Sequence, residues 1–317
     1  MNPRLVRLVD GTLKSLSRMM PRRLMRHWCW VLFEDQHIPD AWEFHIRPIH
    51  YYDPVPDFRT VTPAALERRR VPPGIDFALP MQAALLNTFA VECRVELDMI
   101  AQECAFDFSN GYFTGLDASV YYALIRHLKP RRIVEIGSGY STRIASLAIA
   151  RNEAEGSRGA IICIEPYPEA RLTQSSARFE LIDKPVQQVS LATFEELSEN
   201  DILMIDSSHV AKTGGDVCYA FLDVLPRLKP GVWVHVHDIF FPQDYPARWV
   251  IDERRAYNEQ YLLEALLSGN KSFVPKLANH WLVLDYREAV DALCPSKATS
   301  GVSIEQLGGS FWMCRKE

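Results

Sequence analysis

Residues 134–142, with the sequence VEIGSGYST, decide the fold class of this chain. An apolar strand runs into a Gly-x-Gly turn, and a helical segment begins directly behind that turn. Glycine lets the backbone turn tightly and lets a ligand approach it closely. The first turn of the helix offers backbone N–H groups without partners. In open α/β sheets, ligands bind at turns of this kind, at the carboxyl end of a parallel strand.

Strands and helices alternate on both sides of this turn. The pattern predicts strands at 133–136, 160–164, 202–205 and 232–237, and a weaker strand near Leu181. It predicts helices at 80–104, 118–128, 141–150, 169–179, 194–198, 216–228 and 252–267. Such alternation predicts a parallel sheet with helices on both faces. Two extended pieces, 281–284 and 310–314, are expected to pair and to add an antiparallel strand at the sheet edge.

The first 110 residues differ in composition from the rest. Prolines and aromatic residues alternate between residues 39 and 80. This stretch is too apolar for a linker. We therefore expect an N-terminal cap over residues 1–110 and an α/β domain over residues 111–317.

Charge is unevenly distributed along the chain. Residues 1–30 hold seven basic side chains and one acidic side chain, whereas the whole chain carries a net charge of -5. The acidic remainder argues against a nucleic-acid groove. The basic start is either a solvated terminal helix or a weak peripheral contact for an anionic membrane. No apolar run approaches the roughly 20 residues of a transmembrane helix.

The seven cysteines are dispersed and form no C-x-x-C pair. This argues against a disulfide framework or a zinc knuckle. Reduced thiols in a cytoplasmic protein are the expectation.

Two classes of ligand fit the glycine turn. A dinucleotide fingerprint needs glycine or alanine where this chain has Thr142, and the carboxylate of Glu135 would repel a pyrophosphate. The same carboxylate suits the ammonium group of S-adenosylmethionine. Glu165 ends the next strand, 28 residues after Gly137, where a carboxylate can accept both ribose hydroxyls. These features favour S-adenosylmethionine over a dinucleotide.

Glu-x-Gly-x-Gly followed by an acid at the end of the next strand resembles the class I S-adenosylmethionine-dependent methyltransferases. Further stretches resemble a bacterial subgroup related to small-molecule and sugar O-methyltransferases: residues 50–56 (HYYDPVP), 205–209 (IDSSH), 225–231 (LPRLKPG), 235–240 (HVHDIF) and 309–312 (GSFW). The resemblance covers about residues 45–317.

The resemblance implies a Rossmann-like sheet of seven mostly parallel strands, with helices on both faces and an antiparallel C-terminal strand. It implies that S-adenosylmethionine is held by Glu135, Gly137, Ser138, Gly139, Ser141, Thr142, Glu165 and Asp206. The expected activity is methyl transfer to a hydroxyl of a small-molecule or sugar acceptor. The alternatives are a metal-dependent hydroxylase-like enzyme on the same fold and a non-catalytic binding module.

Acidic and histidine side chains follow the predicted fourth and fifth strands. In the catechol-type O-methyltransferases, the positions that match Asp206, His237 and Asp238 hold a divalent metal. That family has Asp-Asn where this chain has His-Asp, and imidazole suits borderline metal ions better than Mg²⁺. A metal site at these three residues is therefore one interpretation. A second is a metal-free general base, either His237 or His209. A third is that these are hydrogen-bonded strand-end groups that brace the sheet edge.

His209 is the candidate base, because it matches the lysine that takes the substrate proton in the catechol-type family. A neutral imidazole suits that task. Asp238 would orient the ring. Lys212 could substitute for His209 as the base or bind an acidic substrate. His235 is expected in the core or at an interface. The aromatic loop at 240–246 is either a wall of the acceptor pocket or hydrophobic cover, and residues 110–116 are expected to form a second wall or lid.

Overall fold

The computed structural model describes residues 21–34, 47–168, 178–299 and 307–316. The chain divides into two compact units, residues 1–60 and residues 61–317. The described part of the first unit contains the helix α1 (Arg22–Glu34). The basic residues 1–20 and most of the predicted helix at 169–179 lie outside the described residues.

Strands and helices alternate through the second unit. The strands are β1 (Arg132–Ile136), β2 (Ala160–Ile164), β3 (Glu180–Ile182), β4 (Ile202–Ile205), β5 (Trp233–Val236), β6 (Phe273–Ala278) and β7 (Phe311–Arg315). The helices are α2 (Pro63–Leu66), α3 (Leu79–Gln102), α4 (Gly115–Leu128), α5 (Tyr140–Ala154), α6 (Ala192–Glu195), α7 (Asp216–Tyr219), α8 (Glu259–Leu267), α9 (Asn279–Asp285), α10 (Arg287–Leu293) and α11 (Ser296–Thr299). Single 3₁₀ or π turns cover Val186–Gln188, Ala220–Val224, Leu225–Arg227 and Arg248–Asp252.

The seven strands form one sheet in the order β3-β2-β1-β4-β5-β7-β6. Strands β1 to β5 are parallel to one another, and β7 is antiparallel to both β5 and β6. The prediction of a Rossmann-like, mostly parallel sheet with an antiparallel C-terminal strand is confirmed. Ile136 pairs with Ile164 on one side and with Ile205 on the other, so the three strands end level. The residues that follow them therefore share one edge of the sheet.

Alternate residues of the central strands enter two separate cores. Ile133 packs with α3, α4 and α5 on one face, whereas Val134 and Ile136 pack with α7 and α8 on the other. Burying each such side chain contributes about 1.5–3 kcal/mol. Because both faces are covered, the strands are apolar at almost every position, as is typical of parallel sheets.

The predicted strand at 281–284 is wrong. These residues lie in helix α9, and the strand that pairs with β7 is β6, earlier in the chain. A short apolar run such as WLVL does not distinguish a helix from a buried strand. Pro275 and Lys276 also make β6 difficult to recognise as a strand in the sequence. Proline is tolerated here because β6 is an edge strand with an irregularity in pairing between Pro275 and Leu277.

The helix predicted at 252–267 begins only at Glu259. Arg254 adopts a positive φ of 56°, which interrupts the helical path. The amides of Asn258 and Glu259 instead donate to the carbonyl of His209, at 3.0 and 3.3 Å. The late start of α8 therefore connects this helix to the loop that follows β4.

Gly137 permits the closest contact at this edge of the sheet. Its φ is +86°, and a Cβ placed on it would lie 1.8 Å from the backbone oxygen of Asp206. The left-handed conformation alone costs an L-residue roughly 1–2 kcal/mol. The overlap with a backbone atom adds to that cost because no side chain can rotate away.

We predict that Gly137→Ala lowers the free energy of unfolding by about 2 kcal/mol or more, because strain and overlap act together. Urea unfolding measures this difference. The matched control is Gly139→Ala, two residues further on, where an added Cβ meets nothing within 4 Å. Equal losses in the two variants would contradict the proposed contact.

Candidate functional site

The glycine turn is clamped by three neighbouring elements. The amide of Gly137 donates to Ile164 O at 3.0 Å, and the amide of Asp206 donates to Ile136 O at 2.9 Å. Within the turn, the amide of Gly139 donates to Thr142 Oγ1 at 3.2 Å. Strands β2 and β4 and helix α5 thus hold the turn in place.

A cavity of about 420 Å³ opens beside the turn, at the carboxyl ends of β1, β2 and β4. Of the residues singled out in the sequence, four line it: Gly137, Glu165, Asp206 and Lys212. Its volume lies within the range of sites for small molecules and cofactors, roughly 300–1,000 Å³.

Glu165 extends from the end of β2 into the wall of this cavity. Its Oε1 accepts a hydrogen bond from the amide of Tyr167 at 2.8 Å, which orients the carboxylate. A carboxylate has capacity for several more donors. It can therefore also accept the two hydroxyls of a ribose.

The other predicted cofactor residues lie outside the cavity lining. Ser141 and Thr142 are buried in the first turn of α5. Ser138 Oγ is also buried, and it has no hydrogen-bond partner among the described residues. A buried hydroxyl without a partner is uncommon and calls for one. The glycine turn, Ser138 and Glu165 together fit the methionyl and ribose ends of S-adenosylmethionine.

Glu135 differs from its expected position. It is fully buried, because residue 135 of β1 faces the layer of α4 and α5 rather than the sheet edge. Tyr121 donates to its carboxylate at 2.9 Å, and Thr142 Oγ1 donates to the other oxygen. Burial raises the pKa of Glu135 to about 7. In this arrangement Glu135 braces the glycine turn through Thr142 instead of facing the cavity.

His209 lies among three carboxylates. Its Nε2 is 3.4 Å from Asp206 Oδ1 and 3.3 Å from Asp238 Oδ2, and its Nδ1 is 3.0 Å from Glu259 Oε2. The Glu259 side chain is completely buried, whereas those of Asp206 and Asp238 are 33% and 15% exposed. The cluster is thus shielded from solvent at Glu259 and accessible to solvent at the two aspartates.

Electrostatics favour the imidazolium form of His209. Burial opposes the charge, but the three carboxylates outweigh it and raise the pKa of His209 well above 6.5. The pKa of Asp206 is lowered despite burial, because His237 and His209 favour its charged form. The sequence suggested a neutral imidazole, and the difference comes from Glu259 and the two converging aspartates.

His237 and His235 form a second layer behind the cluster. His237 Nε2 lies 3.7 Å from Asp238 Oδ1, and its Nδ1 lies 3.4 Å from Ser310 Oγ. His235 is fully buried, with Nε2 2.7 Å from the same hydroxyl. Burial and the neighbouring His237 lower the pKa of His235 well below 6.5, so that ring is neutral. His235 therefore lies in the core.

The donor set at Asp206, His237 and Asp238 does not have the arrangement of a metal site. Within the described ranges, no group of three or more His, Cys, Asp or Glu side chains could hold a metal ion. The Nε2 of His209 lies between the two aspartates, where a shared ion would have to lie. These residues therefore do not fit a shared divalent metal ion.

The aromatic loop at 240–246 is hydrophobic cover in this structure. Phe240, Phe241 and Tyr245 are buried, and Tyr245 Oη accepts from the amide of Gln260 at 2.9 Å. In the 110–116 segment, Tyr112 is exposed and stacks on Tyr140 with ring centroids 5.8 Å apart. Lys212 is exposed and lines the cavity.

Sequence reasoning missed two residues of the cluster. Glu259 was placed inside a longer helix, where a single acid carries no signal. Tyr257, whose ring centroid is 4.9 Å from that of His209, lies in the irregular segment before α8. Both reach His209 only because the chain folds back at residues 253–258, and no local motif marks that turn.

Part of the chain is similar to a known family of domains. A family model for a methyltransferase domain matches residues 134–239. An uncharacterized protein of Archaeoglobus fulgidus is 36% identical over 169 residues, which cover 49% of this chain and 75% of that protein. This chain belongs to the same family as the archaeal protein. The matched methyltransferase domain covers the region from β1 to β5, including the glycine turn after β1.

Solved structures resemble the chain more distantly. An O-methyltransferase from Bacillus cereus in complex with SAH is 13% identical, with a TM-score of 0.37 over 72% of this chain and 90% of that chain. A Plasmodium falciparum structure described as a protein-L-isoaspartate O-methyltransferase in complex with S-adenosyl-L-homocysteine is 15% identical, with a TM-score of 0.25 over 38% of this chain. The match spans 58% of that Plasmodium chain.

We predict that Glu135→Gln changes how stability depends on pH. The folded pKa of about 7 exceeds the usual glutamate pKa of 4.5, so between these pH values the folded chain keeps a proton that the unfolded chain loses. The free energy of unfolding of the wild type should therefore fall by about 3 kcal/mol from this group as pH rises through that window.

Urea unfolding at pH 5 and pH 8 tests this effect. The difference in free energy of unfolding between Glu135→Gln and the wild type should favour the variant more at pH 8 than at pH 5. Glu195→Gln, at an exposed position, is the control and should follow the wild type. A Glu135→Gln variant with the same pH dependence as the wild type would contradict the assignment.

We also predict that Glu259→Gln lowers the pKa of His209, because the glutamine keeps a hydrogen-bond acceptor but removes one of the three charges that stabilise the imidazolium. NMR titration of the ring ¹³Cε1 resonance, assigned with His209→Ala, measures the shift. Asp252→Asn removes an exposed charge from the same segment and should leave this pKa unchanged. An unchanged pKa in Glu259→Gln would exclude the proposed pairing.

Proposed function

We propose that this protein transfers a methyl group from S-adenosylmethionine to a hydroxyl oxygen of a small-molecule or sugar acceptor. One observation carries the proposal: Asp206 both lines the cofactor-sized cavity and contacts His209. A group bound in the cavity and a proton acceptor are therefore neighbours at the same strand end.

The cofactor supplies an electrophilic methyl group on a cationic sulfonium. Glu165 would accept the ribose hydroxyls, and the glycine turn with Ser138 would hold the methionyl end. Asp206 presents a partly exposed carboxylate to the positive charge. These residues would orient the bound cofactor, and in-line alignment of two reactants is a large part of a transfer reaction's acceleration.

His209 accepts the proton of the attacking hydroxyl at Nε2. Glu259 holds Nδ1, so Nε2 is the atom that faces Asp206, Asp238 and the acceptor side. The neutral form of the ring is the base. Because the three carboxylates raise the pKa of His209, this form and hence the transfer are favoured as pH rises. Asp238 keeps the ring oriented, and Lys212 is placed to bind an acidic group of a substrate at the cavity.

An aromatic surface lies next to this base. Tyr257 packs at 4.9 Å from the His209 ring, and Trp249 lies 6.1 Å from Tyr257. Both aromatic residues are partly exposed. Arg255 lies over both rings, 4.3 Å from the Trp249 centroid and 5.5 Å from the Tyr257 centroid. Aromatic rings and a guanidinium beside a polar proton acceptor suit a small compound that carries hydroxyl groups, such as a sugar.

We further propose that residues 111–317 form the methyltransferase domain and that residues 1–110 extend it. The matched methyltransferase region at 134–239 lies wholly inside the proposed domain. Helix α3, from the extension, packs against α4 and α10 in the described structure. Residues 61–110 thus support the sheet from one face.

We predict that S-adenosylhomocysteine binds the purified, EDTA-treated protein, and that Glu165→Ala weakens this binding by roughly 10- to 100-fold, as expected for loss of hydrogen bonds to a charged group. Isothermal titration calorimetry measures both affinities. Asp183→Ala, an exposed acid beyond the end of β3, is the control and should bind like the wild type.

Two further titrations test the same site. Repeating the titration with Mg²⁺ or Mn²⁺ should leave the affinity unchanged, because His209 lies between the two aspartates. His209→Ala should still bind S-adenosylhomocysteine. Absence of binding in the wild type, or equal binding by Glu165→Ala, would overturn the proposed cofactor site.

A further inference from the structure

Helix α1 exposes an apolar ridge on the protein surface. Leu24, Trp28 and Val31 are spaced by four and three residues, so they lie along one side of the helix. Their exposed fractions are 56%, 51% and 44%. Large apolar side chains exposed in a row are unusual for a helix in water and mark a surface that contacts an apolar phase or a partner.

The charges of α1 point to an anionic partner. Arg22, Arg23 and Arg26 are exposed in the first two turns, and the first turn contains no acidic residue. The N-terminal end of a helix carries a partial positive charge, so cations are unfavourable there and anions are favourable. An external anion at this end would relieve that repulsion.

A single kind of partner satisfies both features. Anionic phospholipid offers phosphate groups to the arginines and an acyl boundary to leucine, valine and the tryptophan ring. A nucleic acid offers phosphates but no apolar phase for Leu24 and Val31. The helix has 13 residues and is therefore about 20 Å long, which suits a position in the plane of the interface. No helix among the described residues is long and apolar enough to cross a bilayer.

We propose that residues 22–34 bind the surface of an anionic phospholipid bilayer, with Leu24, Trp28 and Val31 at the acyl boundary and the three arginines at lipid phosphates. Because residues 1–30 carry seven basic side chains on a chain with net charge -5, contact through this end is electrostatically favoured over contact through the acidic remainder. Contact at this surface would place the chain beside amphiphilic molecules. The proposal does not depend on the proposed methyl transfer.

Co-sedimentation with vesicles tests the proposal on the full-length protein. The wild type should bind vesicles of phosphatidylcholine and phosphatidylglycerol (3:1) much more tightly than vesicles of phosphatidylcholine alone. Arg22→Glu/Arg23→Glu/Arg26→Glu should lower the partition coefficient on the order of 100-fold, since each basic residue near such a surface contributes about tenfold or less. Leu24→Asp/Trp28→Ala should also weaken binding to the anionic vesicles.

The control is Arg68→Glu/Arg131→Glu/Arg158→Glu, which makes the same change in net charge at exposed positions of the second unit. This variant should keep most of the binding, and equal unfolding midpoints would show that all variants are folded. Absence of wild-type binding to the anionic vesicles, or an equal loss in the control, would overturn the proposal. So would binding that Leu24→Asp/Trp28→Ala leaves unchanged, or binding of α1 to an RNA oligonucleotide in place of the vesicles.

Discussion

The close approach of Gly137 to the backbone oxygen of Asp206 is the contact on which the candidate site depends. It brings the ends of β1 and β4 together with no side chain between them. Asp206 then lies at the boundary of the cavity and of the histidine cluster at once. Any residue other than glycine would separate the two strand ends and, with them, the two halves of the site.

Two buried glutamates support this arrangement by different means. Glu135 is held by neutral donors, and burial keeps it close to protonation at neutral pH. Glu259 instead faces the ring of His209, which carries the compensating charge. An unpaired buried charge costs several kcal/mol, so each acid requires its particular neighbours. Glu135 thereby braces the turn, while Glu259 selects the ring nitrogen that faces the open side of the cluster.

The fold was predictable where burial on both faces leaves a local pattern. Strands β2 and β4 match their predicted ranges, and β1 differs by one residue at its start, because their apolar runs are bounded by clear breaks. Strand β6 is not predicted because Pro275 and Lys276 are atypical of a strand. The apolar run at 281–284 predicts a strand instead, but it lies in α9. The start of α8 was misplaced because the backbone at Arg254 turns for a tertiary reason, the contact with the His209 loop.

The sequence by itself determined the class of sheet, the position of the glycine turn and the strand ends that carry Glu165, Asp206, His209 and Asp238. Such features are local, since they depend on residue spacing and on the hydrophobic period of each element. Tertiary structure alone decided that Glu135 faces a helix layer, that Glu259 reaches His209, and that the resulting ring is charged. These outcomes depend on which face of a strand is covered and on how many carboxylates converge on one ring. Distant segments of the chain contribute to both, and no local spacing records their approach.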